Sequence, residues 1–407
     1  KNAALPALAA ALLTDSPVTL EEVPALADVV TMTRLLDGMG VSVRAPAPSR
    51  RIVDASHVTS TEAPYDLVRT MRASILVLGP LVGRFGEARV SLPGGCAIGV
   101  RPVDLHLLAL EALGARIAVE KGYIHAHVSR VGRGRGRLTG TTIRFPAPTV
   151  TGTENVLFAA TLARGTTVIE NAAREPEVED VALLLTRMGA RVSGAGSSTI
   201  TVEGVERLGG TGPSPHAILP DRIEAGTYLA AGAITGGDVT VSGARARDLE
   251  AFLGALRRAG AGVEATEDGV RVFASRPLEA VDVETAPHPG FPTDLQAQFL
   301  ALMTQARGRS RLVETIFENR FLHAVELARL GADVRVEGRT AFVRGPAKLE
   351  GAPVTASDLR ASAALVLAGL VARGETRVRR IYHLDRGYAA MDQRLRSLGA
   401  SVERIDG

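Results

Sequence analysis

The apolar positions of the chain repeat in six blocks of similar length. Each block opens with an apolar helix pattern rich in Ala and Leu, then has a short strand pattern, a second helix pattern and two alternating strand patterns. We predict the first helices of the blocks at 3–13, 74–81, 156–163, 226–234, 295–303 and 362–372. In the third block the pattern predicts strands at 165–169, 191–193 and 199–203, with a helix at 178–188 before the last two.

A glycine follows the second helix of every block, and the next residue is small or β-branched. These glycines are Gly40, Gly114, Gly189, Gly260, Gly331 and Gly399. A glycine just past a helix takes a left-handed backbone conformation, so the chain can turn into the following strand. The blocks are too large for a solenoid. We therefore predict two α/β domains of three blocks each, at 1–218 and 219–407, joined near the Gly- and Pro-rich stretch 209–215.

Composition then limits the class of protein. The chain has 407 residues, 46% of them hydrophobic and 22% charged, as in ordinary globular proteins. Its single cysteine excludes an intrachain disulfide and favours a reducing compartment. We expect a cytoplasmic protein without a membrane partner, because the sequence has no basic leader with a cleavage site and no apolar run near the roughly 20 residues that span a bilayer. The formal charge is only +3, arginines are scattered and tryptophan is absent, which favours small anionic ligands over nucleic acid.

The only cysteine, Cys96, lies in a segment suited to a reactive thiol. Three glycines fall within 94–99, and Arg101 followed by Pro102 comes directly after them. Glycines make such a segment a flexible loop, and a neighbouring cation favours the thiolate. The competing interpretation is a spare cysteine that has no chemical role.

Charged residues recur at matching positions of the blocks. Just before the first helices are Lys1, Arg72, Glu154, Glu224, Asp294 and Arg360, and in the loops after the first strands are Arg101, Arg174, Arg247, Arg320 and Arg386. Helix N-termini attract anions, so the set predicts a site for a polyanionic substrate. Taken singly, each residue is equally well read as a surface cap or an ion pair. For Asp294 the alternatives are an N-cap and a carboxylate that accepts or orients a hydroxyl proton. For Lys1 they are a frayed terminus and a ligand-binding cation.

The remaining motifs give less information about function. His125, His127, His216 and His288 lack metal-ligand spacing, so no metal site is predicted. His106 is predicted to be a capping or packing residue. The Gly-Arg run at 132–137 is predicted to be an exposed hairpin or loop. The chain has no Walker motif and no Gly-x-Gly-x-x-Gly between a strand and a helix, so ATP and NAD binding are not supported.

Motifs spread over the whole chain match one family pattern. They lie at 1–6, 70–74, 92–106, 170–177, 219–224, 291–298, 317–321, 359–362 and 385–388, and the most specific is Gly-Gly-Cys followed by Arg-Pro-Val-Asp-Leu. In these segments the chain resembles the UDP-N-acetylglucosamine 1-carboxyvinyltransferase family of enolpyruvyl transferases. The resemblance implies two domains, each an inside-out α/β barrel of three βαβαββ units. It implies transfer of the enolpyruvyl group of phosphoenolpyruvate to the 3′-hydroxyl of UDP-N-acetylglucosamine in peptidoglycan synthesis, with release of phosphate and without a metal or organic cofactor.

The resemblance also implies residue roles. Cys96 would donate a proton to phosphoenolpyruvate and be the thiol alkylated by fosfomycin, and Asp294 would be the base at the sugar hydroxyl. Lys1, Arg101 and Arg386 would hold phosphoenolpyruvate. The full set of implied substrate-binding residues is Lys1, Asn2, Arg72, Arg101, Pro102, Val103, Asp104, Leu105, Thr149, Val150, Asp294, Ile316, Arg320, Arg360 and Arg386.

Two other functions fit parts of the pattern. The first is the sister transferase that acts on shikimate 3-phosphate, which has the same fold but no such cysteine loop. The second is a non-catalytic, arginine-rich RNA-binding protein built on a related barrel. The family pattern Ser-Val-Gly-Ala-Thr-Glu-Asn is replaced by Thr-Val-Thr-Gly-Thr-Glu-Asn at 149–155. The oligomeric state is not fixed by any of these features.

Overall fold

The structure, a computed structural model, describes residues 1–93, 103–129, 136–274 and 277–405. Three of the predicted site residues, Cys96, Arg101 and Pro102, lie outside these ranges, as does most of the Gly-Arg run. The described residues up to Leu219 form one compact unit, and those from Pro220 onward form a second.

The first unit alternates helices with short strands. Its helices are α1 (Ala4–Ala10), α2 (Ala27–Gly38), α3 (Tyr65–Val68), α4 (Leu78–Phe85), α5 (Asp104–Ala112), α6 (Val150–Thr161) and α7 (Pro176–Arg187). Its strands are β1 (Val18–Glu21), β2 (Ser42–Ala47), β3 (Arg50–Asp54), β4 (Glu62–Ala63), β5 (Glu87–Ser91), β6 (Ala115–Glu120), β7 (Tyr123–Val128), β8 (Thr142–Arg144), β9 (Thr166–Glu170), β10 (Arg191–Ser193), β11 (Thr199–Glu203) and β12 (His216–Ala217). Short 3₁₀ helices occupy Ala11–Leu13 and Arg72–Val77.

The second unit repeats the same alternation. Its helices are α8 (Arg222–Thr235), α9 (Glu250–Arg258), α10 (Gln296–Met303), α11 (His323–Arg329), α12 (Leu359–Gly369) and α13 (Met391–Ser397). Its strands are β13 (Asp238–Ser242), β14 (Gly262–Thr266), β15 (Gly269–Phe273), β16 (Val283–Glu284), β17 (Gly308–Val313), β18 (Asp333–Glu337), β19 (Thr340–Gly345), β20 (Pro353–Thr355) and β21 (Arg377–Arg379). The 3₁₀ helices Ala246–Leu249, Thr293–Leu295 and Ile381–Arg386 complete it.

The strands form small mixed sheets, one for each block. The sheets run β12-β1-β3-β2, β4-β5-β7-β6 and β10-β11-β9-β8 in the first unit, and β13-β15-β14, β16-β17-β19-β18 and β20-β21 in the second. In five sheets a short edge strand pairs in parallel with the strand after a helix, and the other pairings are antiparallel. The predicted βαβαββ repeat and two-domain α/β fold class are therefore confirmed.

The parallel edge strand of the first sheet comes from the far end of its unit. Leu20 of β1 lies opposite His216 of β12, although the other edge strands precede their partners within the same block. The stretch 209–215 that leads to β12 is also bonded to the first unit: Gly209 N–H donates to the Met188 carbonyl and Thr19 N–H to the Thr211 hydroxyl. This stretch is packed chain, whereas its composition predicted a linker.

The first helices of the blocks form the cores of the units. Every residue of α10 is buried, and so are ten of the twelve residues of α6. A helix whose sides are all buried belongs in the interior, in agreement with the Ala- and Leu-rich pattern of these segments. All six predicted first helices are present, but α6 begins at Val150, six residues earlier than expected. The Thr149 hydroxyl caps it by accepting from Gly152 N–H, so polar residues at 151–155 lie inside the helix.

The six turn glycines have the predicted left-handed conformation. Their φ angles lie between +87° for Gly40 and +102° for Gly189. After α9, Ala261 N–H donates to the Leu256 carbonyl and Gly260 N–H to the Arg257 carbonyl. This pair of bonds satisfies carbonyls that the helix end would otherwise leave open, and a residue with a Cβ strains the backbone there.

One glycine that follows α9 and one inside α9 give a matched test of stability. We expect Gly260→Ala, at φ +94° after α9, to lower the free energy of unfolding by about 1–2 kcal/mol. Gly254→Ala, inside α9 and with only ordinary contacts for a Cβ, should raise it by up to about 1 kcal/mol. Urea unfolding followed by circular dichroism measures both. Equal effects of the two substitutions would contradict this account of the turn.

Candidate active site

In the second unit, two buried arginines hold one carboxylate. Arg320 Nη2 donates to Asp294 Oδ1 over 2.7 Å, and Arg360 Nη2 donates to Asp294 Oδ2 over 3.0 Å. The arginine side chains are 3% and 4% exposed, whereas that of Asp294 is 30% exposed. The two cations favour the charged form of Asp294, and its exposure leaves it open to a ligand.

A rigid approach segment places Asp294. The Phe291 ring packs on Phe299 of α10 with centroids 5.3 Å apart, and Phe252 of α9 lies 6.0 Å away on another side. Pro292 then leads into the 3₁₀ turn Thr293–Leu295, which continues into α10. Asp294 lies inside this turn. It is not the N-cap that one sequence interpretation predicted.

Glu314 is a buried carboxylate that sequence reasoning missed. Its Oε1 accepts from the Thr285 hydroxyl and from the N–H groups of Ile316 and Phe317, and its Oε2 accepts from the Thr293 hydroxyl. It therefore ties the loop after β17 to the residue that precedes Asp294. The only sequence signal was a charged residue at the end of an alternating strand, and such a residue is usually exposed.

Arg360 is the second residue of α12. Asp358 caps this helix by accepting from the N–H groups of Arg360 and Ala361. Burial alone would lower the pKa of Arg360, but the Asp294 carboxylate and other groups outweigh it and raise this pKa. The arginine is thus a permanent cation whose position is fixed by a helix cap and a carboxylate.

Arg320 approaches Asp294 from the loop before α11. Its guanidinium carbon lies 5.2 Å from the centre of the Phe317 ring, and its Nη1 is buried without a hydrogen-bond partner among the described residues. Nearby, burial lowers the pKa of His323; the charge of Asp358 opposes this shift and that of Arg320 adds to it, and the resulting pKa is about 4. His323 is therefore neutral at pH 7, and the local positive charge comes from the arginines.

The remaining predicted residues of this unit lie close in sequence to these elements. Ile316 is half-buried in the loop held by Glu314. Arg386 is half-buried at the end of the 3₁₀ helix Ile381–Arg386. Burial lowers the pKa of His383 in the same helix, and the charge of Arg386 adds to the shift.

The predicted residues of the first unit lie on several helix starts. Lys1 Nζ forms an ion pair with buried Asp28 of α2 at 2.9 Å, so this side chain is held in place and is not frayed. Arg72 begins the 3₁₀ helix Arg72–Val77 and Asn2 lies in the turn before α1. Val103, Asp104 and Leu105 form the start of α5, and Thr149 and Val150 form the start of α6.

Several predictions about the recurring charges are wrong. Glu154 and Glu224 do not precede their helices but lie inside α6 and α8, because the caps are Thr149 and Asp221. Burial raises the pKa of Glu154 well above its usual value, and the nearby charges of Glu177 and Glu175 add to this. Glu154 is therefore a buried residue of the core helix and not a surface charge.

Two of the arginines in the loops after the first strands differ from Arg320 in burial. Arg174 and Arg247 are exposed, whereas Arg320 is buried against Asp294. Equivalent places in the repeat thus carry arginines with different surroundings, and Arg174 and Arg247 are not part of the candidate site.

His106 is a buried packing residue, as one sequence interpretation had it. Asn155 Nδ2 donates to His106 Nδ1 over 2.8 Å and to the Ile75 carbonyl, while Asn155 Oδ1 accepts from Gly79 N–H. This fixes the imidazole with its hydrogen on Nε2, which donates to the Thr151 hydroxyl over 3.2 Å. The bonds join α4, α5 and α6.

Searches for other kinds of site gave nothing further within the described ranges. No group of three or more His, Cys, Asp or Glu side chains there is arranged to hold a metal ion. None of the helices in those ranges combines the length and apolar character needed to cross a membrane.

Comparison with known proteins links the chain to one family. The sequence model of the EPSP synthase (3-phosphoshikimate 1-carboxyvinyltransferase) family matches residues 1–395. The UDP-N-acetylglucosamine 1-carboxyvinyltransferase of Magnetococcus marinus is 54% identical over 406 residues, which covers all of this chain and 94% of the relative. The protein of that name from Anaeromyxobacter sp. strain K is 56% identical over 409 residues, covering all of this chain and 95% of the relative.

Solved structures agree with the fold. The enolpyruvyl transferase NikO from Streptomyces tendae superposes with a TM-score of 0.87 at 27% identity, covering 99% of this chain and 93% of that one. EPSP synthase from Acinetobacter baumannii gives a TM-score of 0.74 at 18% identity over 99% and 94% of the chains, and so supports the fold alone.

The bonds around Glu314 predict its effect on stability. We expect Glu314→Gln to lower the free energy of unfolding by about 1–3 kcal/mol, because the amide can no longer accept at both oxygens. Glu318→Gln is the matched control, since Glu318 is half exposed in a surface ion pair and should change stability by less than about 0.5 kcal/mol. Urea unfolding distinguishes them, and equal values would contradict the role given to Glu314.

His106 predicts a pH dependence of stability. Burial, with a smaller effect of the Arg72 charge, lowers its pKa from 6.5 to about 3, so the folded protein keeps it neutral while the unfolded chain binds a proton below pH 6.5. The free energy of unfolding should therefore fall as the pH drops from 6.5 toward 3, by about 1.4 kcal/mol per pH unit for this group. Urea unfolding from pH 7 to pH 4 should give a shallower slope for His106→Gln and an unchanged slope for the exposed His57→Gln. An unchanged slope for His106→Gln would refute the assignment.

Proposed function

Because the chain belongs to the EPSP synthase family, with the closely similar UDP-N-acetylglucosamine 1-carboxyvinyltransferases, we propose that it transfers enolpyruvyl from phosphoenolpyruvate to the 3′-hydroxyl of UDP-N-acetylglucosamine. Phosphate is the second product. The observation that carries the proposal is 54–56% identity to proteins of that name over the whole chain. In this proposal the reaction is the first committed step of peptidoglycan synthesis and takes place in the cytoplasm.

The reaction is an addition followed by an elimination. In the addition, the sugar oxygen bonds to C2 of phosphoenolpyruvate, the hydroxyl proton passes to Asp294, and Cys96 gives its proton to C3. In the elimination, the C2–O bond to phosphate breaks and the C2–C3 double bond re-forms. The proton lost from C3 returns to the Cys96 thiolate, and Asp294 gives its proton to the departing phosphate. Each half needs an acid and a base held in place together.

The surroundings of Asp294 support its role as the base. A base at a hydroxyl must be ionised, and two guanidinium groups favour the carboxylate form. It must also be reachable, and nearly a third of the Asp294 side chain is exposed. Arg360 and Arg320 are almost fully buried against Asp294. In this proposal their main effect is therefore on the base, and any contact with substrate is secondary.

The remaining roles follow from the family resemblance. Lys1, Arg101 and Arg386 neutralise the phosphate and carboxylate of phosphoenolpyruvate. The residues at the starts of α5 and α6, together with Ile316, contact the UDP-sugar. Fosfomycin alkylates Cys96, and the reaction needs no metal or organic cofactor.

The sister reaction with shikimate 3-phosphate is the second candidate. The matching family model carries the name of that enzyme, and a solved EPSP synthase shares the fold. The relatives with more than half of their residues in common carry the UDP-N-acetylglucosamine name, which favours the first candidate. Phosphate release with each acceptor in turn separates the two.

Substitution of Cys96 tests the chemistry. We expect Cys96→Ala to lose most phosphate release from phosphoenolpyruvate and UDP-N-acetylglucosamine but to keep UDP-sugar binding, measured by thermal shift. Cys96→Asp is the matched variant: a carboxylic acid still donates a proton but resists the epoxide, so activity should survive fosfomycin. Unchanged phosphate release in Cys96→Ala would exclude Cys96 as the acid. A fosfomycin-sensitive Cys96→Asp would place the alkylated residue elsewhere.

A further inference from the structure

A buried polar network joins the first helices of all three blocks of the second unit. Thr227 of α8, Gln298 of α10 and Arg360 of α12 meet the Tyr388 hydroxyl, and all four side chains are almost fully buried. Tyr388 Oη lies 2.9 Å from Thr227 Oγ1, 3.2 Å from Gln298 Nε2 and 3.2 Å from Arg360 Nη1. Gln298 Nε2 also lies 3.0 Å from Thr227 Oγ1.

The hydrogens in this network have one consistent arrangement. Thr227 donates its only hydroxyl hydrogen to the Ile223 carbonyl over 2.8 Å, so its oxygen accepts from the others. Tyr388 therefore donates its hydrogen to Thr227, and its lone pairs face the N–H groups of Arg360 and Gln298. Burial raises the pKa of Tyr388 although the charge of Arg360 opposes it, so the hydroxyl keeps its hydrogen.

Arg360 is consequently fixed at two places. Its Nη1 donates to Tyr388 and its Nη2 donates to Asp294. The planar guanidinium is rigid, so the angle at which it meets the Asp294 carboxylate depends on where Tyr388 holds its other nitrogen. Tyr388 does not itself bond to Asp294 in the contacts described.

We propose that Tyr388 is a positioning residue that orients Arg360 and, through it, the Asp294 carboxylate, with Thr227 and Gln298 directing the tyrosine lone pairs. This inference rests on the proposed function, because the network is taken to orient Asp294 as the base of that reaction. The network meets Arg360 on the nitrogen that does not bond to Asp294, so we expect it to affect the chemical step more than substrate binding.

A role in stability alone explains the network poorly. Apolar side chains of similar shape pack helices together without desolvating polar groups, and are often as stable or more so. Here Gln298 Oε1 is buried without a hydrogen-bond partner among the described residues, which is unfavourable.

Tyr388→Phe tests the proposal against a matched control one residue beyond Thr227. We expect kcat for phosphate release to fall about tenfold or more, because a hydrogen bond to a charged group is lost, while KM for both substrates changes less than about twofold. Tyr228→Phe removes another buried hydroxyl, one that bonds to none of Thr227, Gln298 and Arg360, and should leave kcat and KM unchanged. The melting temperature of each variant is measured alongside.

The outcomes separate the possibilities. A lower melting temperature with unchanged kcat in Tyr388→Phe means a merely structural role and overturns the proposal, as does an equal loss of kcat in both variants. If Tyr388→Phe does not fold, Thr227→Val, which removes the acceptor of the tyrosine hydrogen, should lower kcat severalfold; an unchanged kcat overturns the proposal. A wild-type protein that releases no phosphate with UDP-N-acetylglucosamine refutes the proposed function and this inference with it. An active wild type with an unaffected Tyr388→Phe refutes the inference alone.

Discussion

The second unit depends on the burial of two guanidinium groups against one carboxylate. A buried cation is stable only when it is paired and hydrogen-bonded, and Arg320 and Arg360 share Asp294 as their partner. The surrounding structure serves that pairing: the Asp358 cap fixes α12, Glu314 fixes the loop and Thr293, and three phenylalanine rings fix the approach to Asp294. These supports come from all three blocks of the unit, so the pairing depends on each of them.

The sequence predicted the fold better than it predicted the site, for a physical reason. A helix that ends in glycine and turns into a strand leaves a local signal, and all six such glycines have left-handed backbones. Helix starts were less clear, because Thr149 caps α6 before a run of polar residues that lies in the core. Contacts between distant residues leave no local signal. Glu314 and Tyr388 were therefore missed, although Asp294 and both of its arginines were selected from recurrence and family resemblance.

Both units place polar side chains on otherwise apolar core helices, and both join them through directed hydrogen bonds. In the first unit Asn155 joins His106 to the backbone of α4, and in the second Tyr388 joins Thr227 and Gln298 to Arg360. The two networks differ in the charge of the group that they surround. The first surrounds a neutral imidazole, whereas the second ends on a permanent cation next to a partly exposed carboxylate. The core helices of the two units thus occupy equivalent positions in the repeat. The side chains on those helices determine whether the network surrounds a neutral group or a charged one.

The pairing of β12 with β1 has a consequence for synthesis of the chain. β1 is synthesised long before its parallel neighbour β12, which is made only when the first unit is nearly finished. Closing that contact carries a large loop entropy, and pairings so far apart in sequence form late. Until β12 is made, one edge of the first sheet of the nascent unit therefore has no pairing strand. A stop in translation before His216 leaves that edge available to other chains, so a truncated product should be more prone to aggregate than one that ends a few residues later.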